Sequence, residues 1–255
     1  MRDLVNAFKA LSDKPRPRIL NLLLVICRRK RVFSRKTKTW ITCGCLALLF
    51  ILLLSSCSNA SETSPTATVG PLNQVVFQDG FDSQDGNWET YSSTDWGSAF
   101  YKDGKFHITN NTASQYSSAS RIQGQFSDFA LEVEMELISG SSASHQSVIC
   151  RYNETGDCYL FCIDANGEYS IHKSVEGVST MLKTAPSSYI KTGLGVTNKV
   201  RVECIGDSLT LYVNGFRVAR VSDGKFATGK VGLAVKSASG EHTEVAFDNV
   251  VIGTP

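Results

Sequence analysis

The sequence lacks the motifs that mark several classes of enzyme. It contains no Cys-x-x-Cys pair, no His-Glu-x-x-His or Gly-x-Ser-x-Gly motif, and no glycine-rich phosphate loop. The four histidines, His107, His145, His172 and His242, lie in none of these contexts. The sequence therefore gives no support for a zinc enzyme, a serine-hydrolase triad or a nucleotide-dependent enzyme, and it predicts no organic cofactor.

Basic charge is scarce over most of the chain. The 255 residues are 42% hydrophobic and 20% charged, which is ordinary for a globular protein. Residues 1–40 carry twelve lysines and arginines against two aspartates, whereas residues 57–255 carry fourteen against twenty-two acidic residues. The folded part is thus acidic. Because binding to a phosphate backbone needs clustered basic charge on the folded domain, this composition excludes nucleic acid as a partner.

A segment near the N-terminus predicts a cellular address. A basic stretch at residues 28–38 precedes an apolar run at residues 40–54, which is the order found in secretory signals. At fifteen residues the run is short for a membrane span of about 20 residues. It ends in a tetrapeptide that resembles the bacterial lipobox, whose cysteine receives diacylglycerol before cleavage: Leu54-Ser55-Ser56-Cys57.

This resemblance implies a lipoprotein signal peptide at residues 28–56 and lipidation of Cys57, and the alternative is an uncleaved membrane anchor. Both place the rest of the chain in the bacterial cell envelope, outside the cytoplasm. Residues 57–74 are polar and rich in Ser, Thr and Pro, which predicts a flexible tether. We interpret residues 1–27 as an N-terminal extension that arises from the choice of translation start, and residues 75–255 as one domain.

Beyond residue 75, alternation with a period of two predicts strands, and no segment has a helical stripe. Residues 129–137 are apolar at odd positions and mostly acidic at even ones, as in a strand with one buried face. Asn214-Gly215 predicts a two-residue hairpin turn, which places Leu211 opposite Val218. About a dozen antiparallel strands of this kind indicate an all-β sandwich or barrel.

Short motifs along this region resemble the concanavalin A-like lectin and glucanase superfamily. They are, in chain order, Phe77-x-Asp79-x-Phe81, Cys150-Arg151, Tyr159-x-Phe161, Leu211-Tyr212-Val213-Asn214-Gly215, Gly229-x-Val231-Gly232-Leu233 and Phe247-Asp248-Asn249-Val250. The laminin-G-like and 3-keto-disaccharide hydrolase-like modules of bacterial lipoproteins are the most similar. The resemblance covers residues 75–253 and implies an antiparallel jelly-roll β-sandwich. It implies no single activity, because such folds host lectins, glycosidases and adhesive spacers.

Three candidate catalytic residues lie on the acidic strand: Glu132, Glu134 and Glu136. Alternate residues share one face of a strand about 6.6–6.8 Å apart. The carboxylates therefore line up like those of the retaining glucanases in the superfamily, which hold two carboxyl groups about 5–5.5 Å apart. However, those enzymes have Asp where Glu134 stands, and a strand with one wet face gives the same alternation. We favour the wet face and hence a module without catalysis.

Four residues are candidate ligand contacts: Arg151, Tyr169, Lys173 and Trp96. Sugars stack on aromatic rings and accept hydrogen bonds from planar donor groups, so these residue types on a wet face suit a glycan. The alternative is that the aromatic rings fill the core and that Arg151 pairs with a carboxylate.

Asp79 in the first strand and Asp248 in the last are candidate ligands for a structural Ca²⁺, which the superfamily resemblance implies. Calcium takes six to eight oxygen ligands, so backbone carbonyls and water would have to complete such a site.

Four cysteines remain after residue 57, and in an oxidising compartment paired cysteines persist. Cys158 and Cys162 are four residues apart on one predicted strand, about 13 Å, which is too far for a bond. Four cysteines allow three pairings, and we favour a disulfide between Cys150 and Cys204, which would join two strands remote in sequence.

The sequence thus predicts a membrane-tethered, extracytoplasmic, lectin-like module that binds carbohydrate or cell-wall polysaccharide. Two alternatives remain. One is a glycosidase or a 3-keto-glycoside-cleaving enzyme that uses Glu132, Glu134 and Glu136. The other is a structural or adhesion domain that contacts envelope proteins.

If Cys57 is lipidated, metabolic labelling with a fatty acid will tag the protein, and Cys57→Ala will abolish the label because the acceptor thiol is lost. Mass spectrometry of the mature protein provides the check. A mature wild-type protein that is unlabelled and keeps residues 40–56 would establish the uncleaved anchor instead.

Overall fold

The computed structural model describes residues 69–84, 87–114, 116, 118–121 and 123–254. The predicted N-terminal extension, the signal peptide and Cys57 lie outside the described residues, as does the tether up to residue 68. Among the residues that are described, no helix is long and apolar enough to cross a membrane.

Fifteen strands, all paired antiparallel, make up the regular structure of the described part. They are β1 (Gln74–Asp79), β2 (Tyr91–Ser93), β3 (Gly97–Lys102), β4 (Lys105–Asn110), β5 (Ser118–Arg121), β6 (Phe129–Ser139), β7 (His145–Tyr152), β8 (Cys158–Ile163), β9 (Glu168–Val175), β10 (Val178–Pro186), β11 (Thr197–Ile205), β12 (Ser208–Val213), β13 (Phe216–Ser222), β14 (Lys230–Lys236) and β15 (Thr243–Thr254).

The strands form two sheets that enclose one hydrophobic core. The nine-stranded sheet runs β13-β12-β11-β6-β15-β4-β3-β2, with β1 also paired to β15, and the six-stranded sheet runs β10-β9-β8-β7-β14-β5. Because β15 is twelve residues long, one of its edges accommodates both β4 and β1 while the other pairs with β6. The predicted all-β antiparallel sandwich is confirmed.

In the acidic strand β6, apolar and acidic side chains point to opposite faces of the sheet. Leu131, Val133, Met135 and Leu137 are at most 1% exposed and belong to the core between the sheets. Each such side chain contributes about 1.5–3 kcal/mol on burial. The glutamates between them point to the opposite face, where they are half-buried. The predicted single buried face is therefore correct.

The predicted hairpin joins β12 and β13. Asn214 and Gly215 have φ angles of 51° and 88°, which are the left-handed values that a two-residue turn of this kind needs. A bulge next to Leu211 shifts the register, so this residue lies opposite Ala219 and not opposite Val218 as expected. The turn was predictable from its dipeptide, whereas the bulge has no signal in the alternation.

All four cysteines of the domain are free thiols, and the predicted disulfide is not formed. Cys150 on β7 and Cys204 on β11 nevertheless meet between the two sheets, where their side chains are hydrogen-bonded. Burial, followed by this hydrogen bond, raises the pKa of Cys150 well above its ordinary value. The bond itself stays a prediction.

In oxidising buffer we expect Cys150 and Cys204 to join, because their side chains already touch. A crosslink across a loop of roughly 55 residues contributes about 4 kcal/mol to the free energy of unfolding in the chain-entropy model. Non-reducing peptide mapping and denaturant unfolding with and without reductant provide the measurements. Recovery of both cysteines as free thiols from the oxidised chain would show that the bond does not form.

Candidate functional site

The candidate catalytic glutamates lie on the outer face of the nine-stranded sheet among cations. Glu132 accepts hydrogen bonds from Arg201 Nη1 at 3.1 Å and from Lys199 Nζ at 2.7 Å, both on β11. Lys105 Nζ on β4 donates to Glu136 Oε2 at 2.7 Å. The hydrogen bond to Glu136 raises the pKa of Lys105, although burial opposes the shift. Charges compensated across strands in this way are typical of a stable solvated sheet face.

Glu134, the middle residue of the three, is bound by an amide: Asn249 Nδ2 donates to its Oε2 at 3.2 Å. Asp248 lies opposite Glu134 in the ladder between β15 and β6. Burial, reinforced by the charge of Glu134, raises the pKa of Asp248 above its ordinary value. This pair of carboxylates is the part of the acidic face where like charges meet.

Asp79 binds two hydrogen-bond donors close to it in the chain. Its two oxygens accept hydrogen bonds from the backbone N–H of Phe81 at 2.8 Å and from Trp88 Nε1 at 2.9 Å. It lies opposite Val250, two residues from Asp248, so the predicted neighbourhood of the first and last strands is correct. Each Asp79 oxygen accepts one of these hydrogen bonds and keeps a second acceptor position, so the calcium site stays a prediction.

An open groove of about 450 Å³ lies over one end of the glutamate face. Glu132, Lys199, Arg201 and Tyr212 line it together with residues 69–72. Arg201 Nη1 also donates to the carbonyl of Gly70 at 2.7 Å, in the chain segment that borders the groove. The polar groups of the groove are therefore largely engaged with one another.

Arg151 lies in the interior, which corrects the expectation that it contacts a glycan. It is 1% exposed, and its Nη1 donates to the carbonyls of Gly206 at 2.8 Å and Phe226 at 2.7 Å. Its Nη2 donates to the carbonyl of Ser127 at 2.9 Å. A Cβ atom at Gly229 would lie 2.3 Å from the Arg151 carbonyl carbon, so only glycine fits there. The guanidinium holds loops together and is not available to a ligand.

The other predicted ligand residues lie apart from one another. Tyr169 is 5% exposed in the core, where burial raises its pKa. Lys173 forms an ion pair with Asp223. Burial opposes the shift, but hydrogen bonds, the strongest from Lys173, hold the pKa of Asp223 below its ordinary value. Among the four, Trp96 alone exposes its ring, which stacks on Tyr91 at 4.9 Å between centroids. The structure therefore does not assemble these four residues into one site.

A cluster that sequence reasoning missed lies on the outer face of the six-stranded sheet. Ser147 on β7, Cys162 on β8 and Ser170 on β9 lie opposite one another in the ladder. His145 and His172 are each two residues from a serine of this row, so their side chains share its face. We call Tyr116, His145, Cys162 and His172 the imidazole–thiol cluster.

The polar atoms of the cluster lie close to one another, and several are hydrogen-bonded. Tyr116 Oη is hydrogen-bonded to His145 Nδ1 at 2.7 Å and to Cys162 Sγ at 3.2 Å. His172 Nε2 is hydrogen-bonded to Ser170 Oγ at 2.9 Å. One nitrogen of each imidazole and the Cys162 sulfur all lie within 4.8 Å of one another. Within the described residues, this is the one place where three such donor groups converge.

Burial and mutual charge set the protonation states in the cluster. Burial, followed by the positive charges of His145 and Lys236, lowers the pKa of His172 to about 4. Burial raises the pKa of Cys162, but its hydrogen bond to His145 and that residue's charge outweigh this and lower it. Burial lowers the pKa of His145, but its hydrogen bond to Cys162 and the charge of that thiolate outweigh this and raise it. Burial, reinforced by Cys162, also raises the pKa of Tyr116. His172 is thus a neutral imidazole at neutral pH.

The surroundings of the cluster combine apolar and polar groups. A small apolar patch of Ile149, Leu160 and Ala234 lies beside it on the outer face, with the ring of Tyr152 packed against the patch. Lys236 Nζ lies 5.5 Å above the centroid of the Tyr116 ring. Half-buried rings and a cation therefore border this part of the sheet.

The sequence carried only a weak signal for this cluster. Residues 158–163 form a continuous apolar run in which a cysteine reads as a small core residue, and all six are buried. His145 and His172 are 27 positions apart and meet only because β7, β8 and β9 pair in one particular register. Strand register was the missing information.

Residues 74–253 match the family model of the 3-keto-alpha-glucoside-1,2-lyase-like domain. No curated protein matches the chain.

Solved structures with a similar fold include two sugar-active enzymes and one binding module. The carbohydrate-binding module CBM66 from Bacillus subtilis is 18% identical over 66% of this chain and 96% of its own, with a TM-score of 0.56. A prokaryotic beta-1,3-1,4-glucanase (lichenase) derived from a mouse hindgut metagenome is 15% identical over 70% and 99%, with a TM-score of 0.55. The Bacillus licheniformis beta-glucanase is 11% identical over 70% and 98%, with a TM-score of 0.54. These likenesses confirm the concanavalin A-like jelly-roll fold.

Arg151→Leu is expected to lower the free energy of unfolding by about 3 kcal/mol or more, because three carbonyl groups lose their donor and each one left unsatisfied costs about 1–3 kcal/mol. Chemical denaturation measures the change. Arg220→Leu is the matched control: Arg220 is exposed and bonded to Ser208 on the surface, so its loss should cost within about 0.5 kcal/mol. Equal effects of the two substitutions would contradict a structural role for Arg151.

Proposed function

The chain belongs to the 3-keto-alpha-glucoside-1,2-lyase-like domain family, and we propose on this basis that it binds carbohydrate on the outer face of the six-stranded sheet. The observation that carries the proposal is the imidazole–thiol cluster with its neighbours. Tyr116, Tyr152, His172 and Lys236 are half-buried there. Aromatic rings accept the C–H face of a sugar, while imidazole and ammonium groups bind its hydroxyls.

The other sheet is a weaker candidate for physical reasons. Three cations on its outer face, Lys105, Lys199 and Arg201, are bound to glutamates. A sugar that displaced these contacts would have to replace ion pairs, in which both partners are charged, with hydrogen bonds in which only one partner is charged. The groove near Glu132 is therefore the competing site.

We also propose that Cys57 carries a lipid that tethers the domain outside the cytoplasm, as the lipobox-like tetrapeptide suggests. The ligand would then be a carbohydrate or polysaccharide of the cell envelope or its surroundings. This proposal rests on the sequence alone, since Cys57 lies outside the described residues.

Cleavage of a 3-keto-alpha-glucoside on the same face is the second candidate, which the family name favours. In a 1,2-elimination a base removes the proton on C2, made acidic by the neighbouring ketone, and the C1–O bond breaks as the leaving group takes up a proton. The cluster contains phenol, thiol and imidazole groups in hydrogen-bonded contact, which are groups that exchange protons. Release of the leaving group from a 3-keto-alpha-glucoside, followed by mass spectrometry, tests this activity.

We expect the purified chain to bind polysaccharides on a glycan array and Lys236→Met to weaken binding about tenfold or more, as for loss of a charged hydrogen-bond donor. Isothermal titration calorimetry with the best array ligand gives the affinities. Lys199→Met, the same substitution on the nine-stranded sheet, is the matched control and should leave the affinity unchanged.

The reverse result, with Lys199→Met weakening binding and Lys236→Met not, would place the ligand in the groove and refute the proposed face. Binding to no glycan would refute carbohydrate recognition and favour an adhesion domain that contacts envelope proteins. Turnover of a polysaccharide that is lost in Glu132→Gln would instead establish the glycosidase alternative.

A further inference from the structure

We propose that His145, Cys162 and His172 form a binding site for a transition-metal ion of the Zn²⁺ type. A ring nitrogen of each histidine and the cysteine sulfur lie within 4.8 Å of one another on the outer face of the six-stranded sheet. Neither the family description nor the core of the fold requires these side chains there. The inference concerns the metal alone and stands whether or not a carbohydrate binds.

The spacing of the donors suits a small tetrahedral ion. Zinc bonds of about 2.0–2.3 Å to nitrogen and sulfur place neighbouring donors roughly 3.3–3.8 Å apart in a tetrahedron. The observed upper limit of 4.8 Å requires at most about 1–1.5 Å of inward movement for the most distant pair. Rotation about the side-chain torsions of two half-buried imidazoles supplies a displacement of that size without moving the strands.

The chemistry of the donors selects the class of metal. One thiol and two imidazoles favour Zn²⁺ or Co²⁺, whereas Ca²⁺ and Mg²⁺ need oxygen ligands. Three protein ligands leave a fourth tetrahedral position open, as in catalytic zinc sites. Tyr116 Oη is hydrogen-bonded to the Cys162 sulfur at 3.2 Å, so a hydroxyl group lies next to one of the proposed donors. A water molecule or a ligand hydroxyl could occupy the fourth position.

The sheet and its side chains hold the donors in place. β7, β8 and β9 each contribute one donor, and they are consecutive, directly paired strands, so their relative positions are fixed by backbone hydrogen bonds. Tyr116 is hydrogen-bonded to His145, and Ser170 is hydrogen-bonded to His172. Hydrogen bonds of this kind orient imidazole ligands in known metal sites and raise their affinity.

Lys236 is a cation next to the site, so binding of a metal ion needs the negative charge of the Cys162 thiolate. Lys236 lies opposite His145 in the ladder between β14 and β7, which puts a positive charge beside the proposed ion. Two neutral imidazoles would not offset that repulsion. The Cys162 sulfur, deprotonated on metal binding, supplies the negative charge, so loss of the cysteine should cost more than loss of either histidine.

The test uses the purified full-length chain, stripped of metal with a chelator and titrated with Co²⁺. We expect one ion per chain, a sulfur-to-cobalt charge-transfer band in the near ultraviolet, and displacement of that band by Zn²⁺. Elemental analysis after dialysis against Zn²⁺ gives the stoichiometry. Cys162→Ser should abolish the band, and His172→Ala should weaken binding about tenfold or more.

Two controls separate this site from incidental binding. Cys158→Ser removes a buried thiol from the same strand and the same face, four residues from Cys162, and should leave the band unchanged. His242→Asn removes an exposed histidine that directly precedes β15 of the nine-stranded sheet, and it should also leave the band unchanged. Because His172 is half-buried, His172→Ala is expected to fold even if Cys162→Ser does not, and circular dichroism verifies this.

A stripped wild-type chain that takes up neither Co²⁺ nor Zn²⁺ would overturn the proposal. An equal loss of the band in Cys158→Ser and Cys162→Ser would also overturn it. Metal uptake without glycan binding would refute the carbohydrate proposal and support this one, and glycan binding by a chain that takes up no metal would do the reverse.

Discussion

The structure depends on a single apolar layer shared by two antiparallel sheets. Every strand that contributes to it must send alternate side chains inward, and this requirement decides on which side each remaining residue lies. In β6 the layer takes Leu131, Val133 and Met135 and thereby forces the intervening glutamates outward. In β8 it takes Tyr159, Phe161 and Ile163 and so puts Cys162 on the outer face. Both candidate surfaces are consequences of one packing constraint.

The two outer faces differ in how their polar side chains are paired. On the nine-stranded sheet, charge is neutralised across strands, as where Lys199 and Arg201 bind Glu132. Such pairs stabilise the sheet modestly and engage the charged groups that form them. On the six-stranded sheet, neutral donors and acceptors such as Tyr116 and His172 meet at the edge of an apolar patch. A surface of that mixed character is better suited to recognition than to solvation.

Much of the fold was predictable from the sequence because period-two alternation and turn chemistry are local signals. The face of β6 and the turn at Asn214-Gly215 follow from neighbouring residues alone. The role of Arg151 did not follow, because its carbonyl partners lie 24 to 75 positions away and an arginine beside tyrosines gives the same pattern on either face. A bond between Cys158 and Cys162 is excluded by the rise per residue alone. The choice of Cys150 with Cys204 needed a further assumption, that the bond joins strands remote in sequence.

The imidazole–thiol cluster could not be predicted from the sequence, because its formation depends on strand register. Its residues come from three strands whose register is set by the whole ladder, and a register error of one residue would turn each side chain to the other face. Cys162 is 1% exposed on a face that the core does not use, and two imidazoles lie beside it. Burying polar groups costs free energy unless they gain partners, and an apolar side chain at Cys162 would fill the patch without that cost. The hydrogen bonds that Tyr116 forms with His145 and Cys162 provide such partners, so the register that buries the cluster must also bring its members into contact.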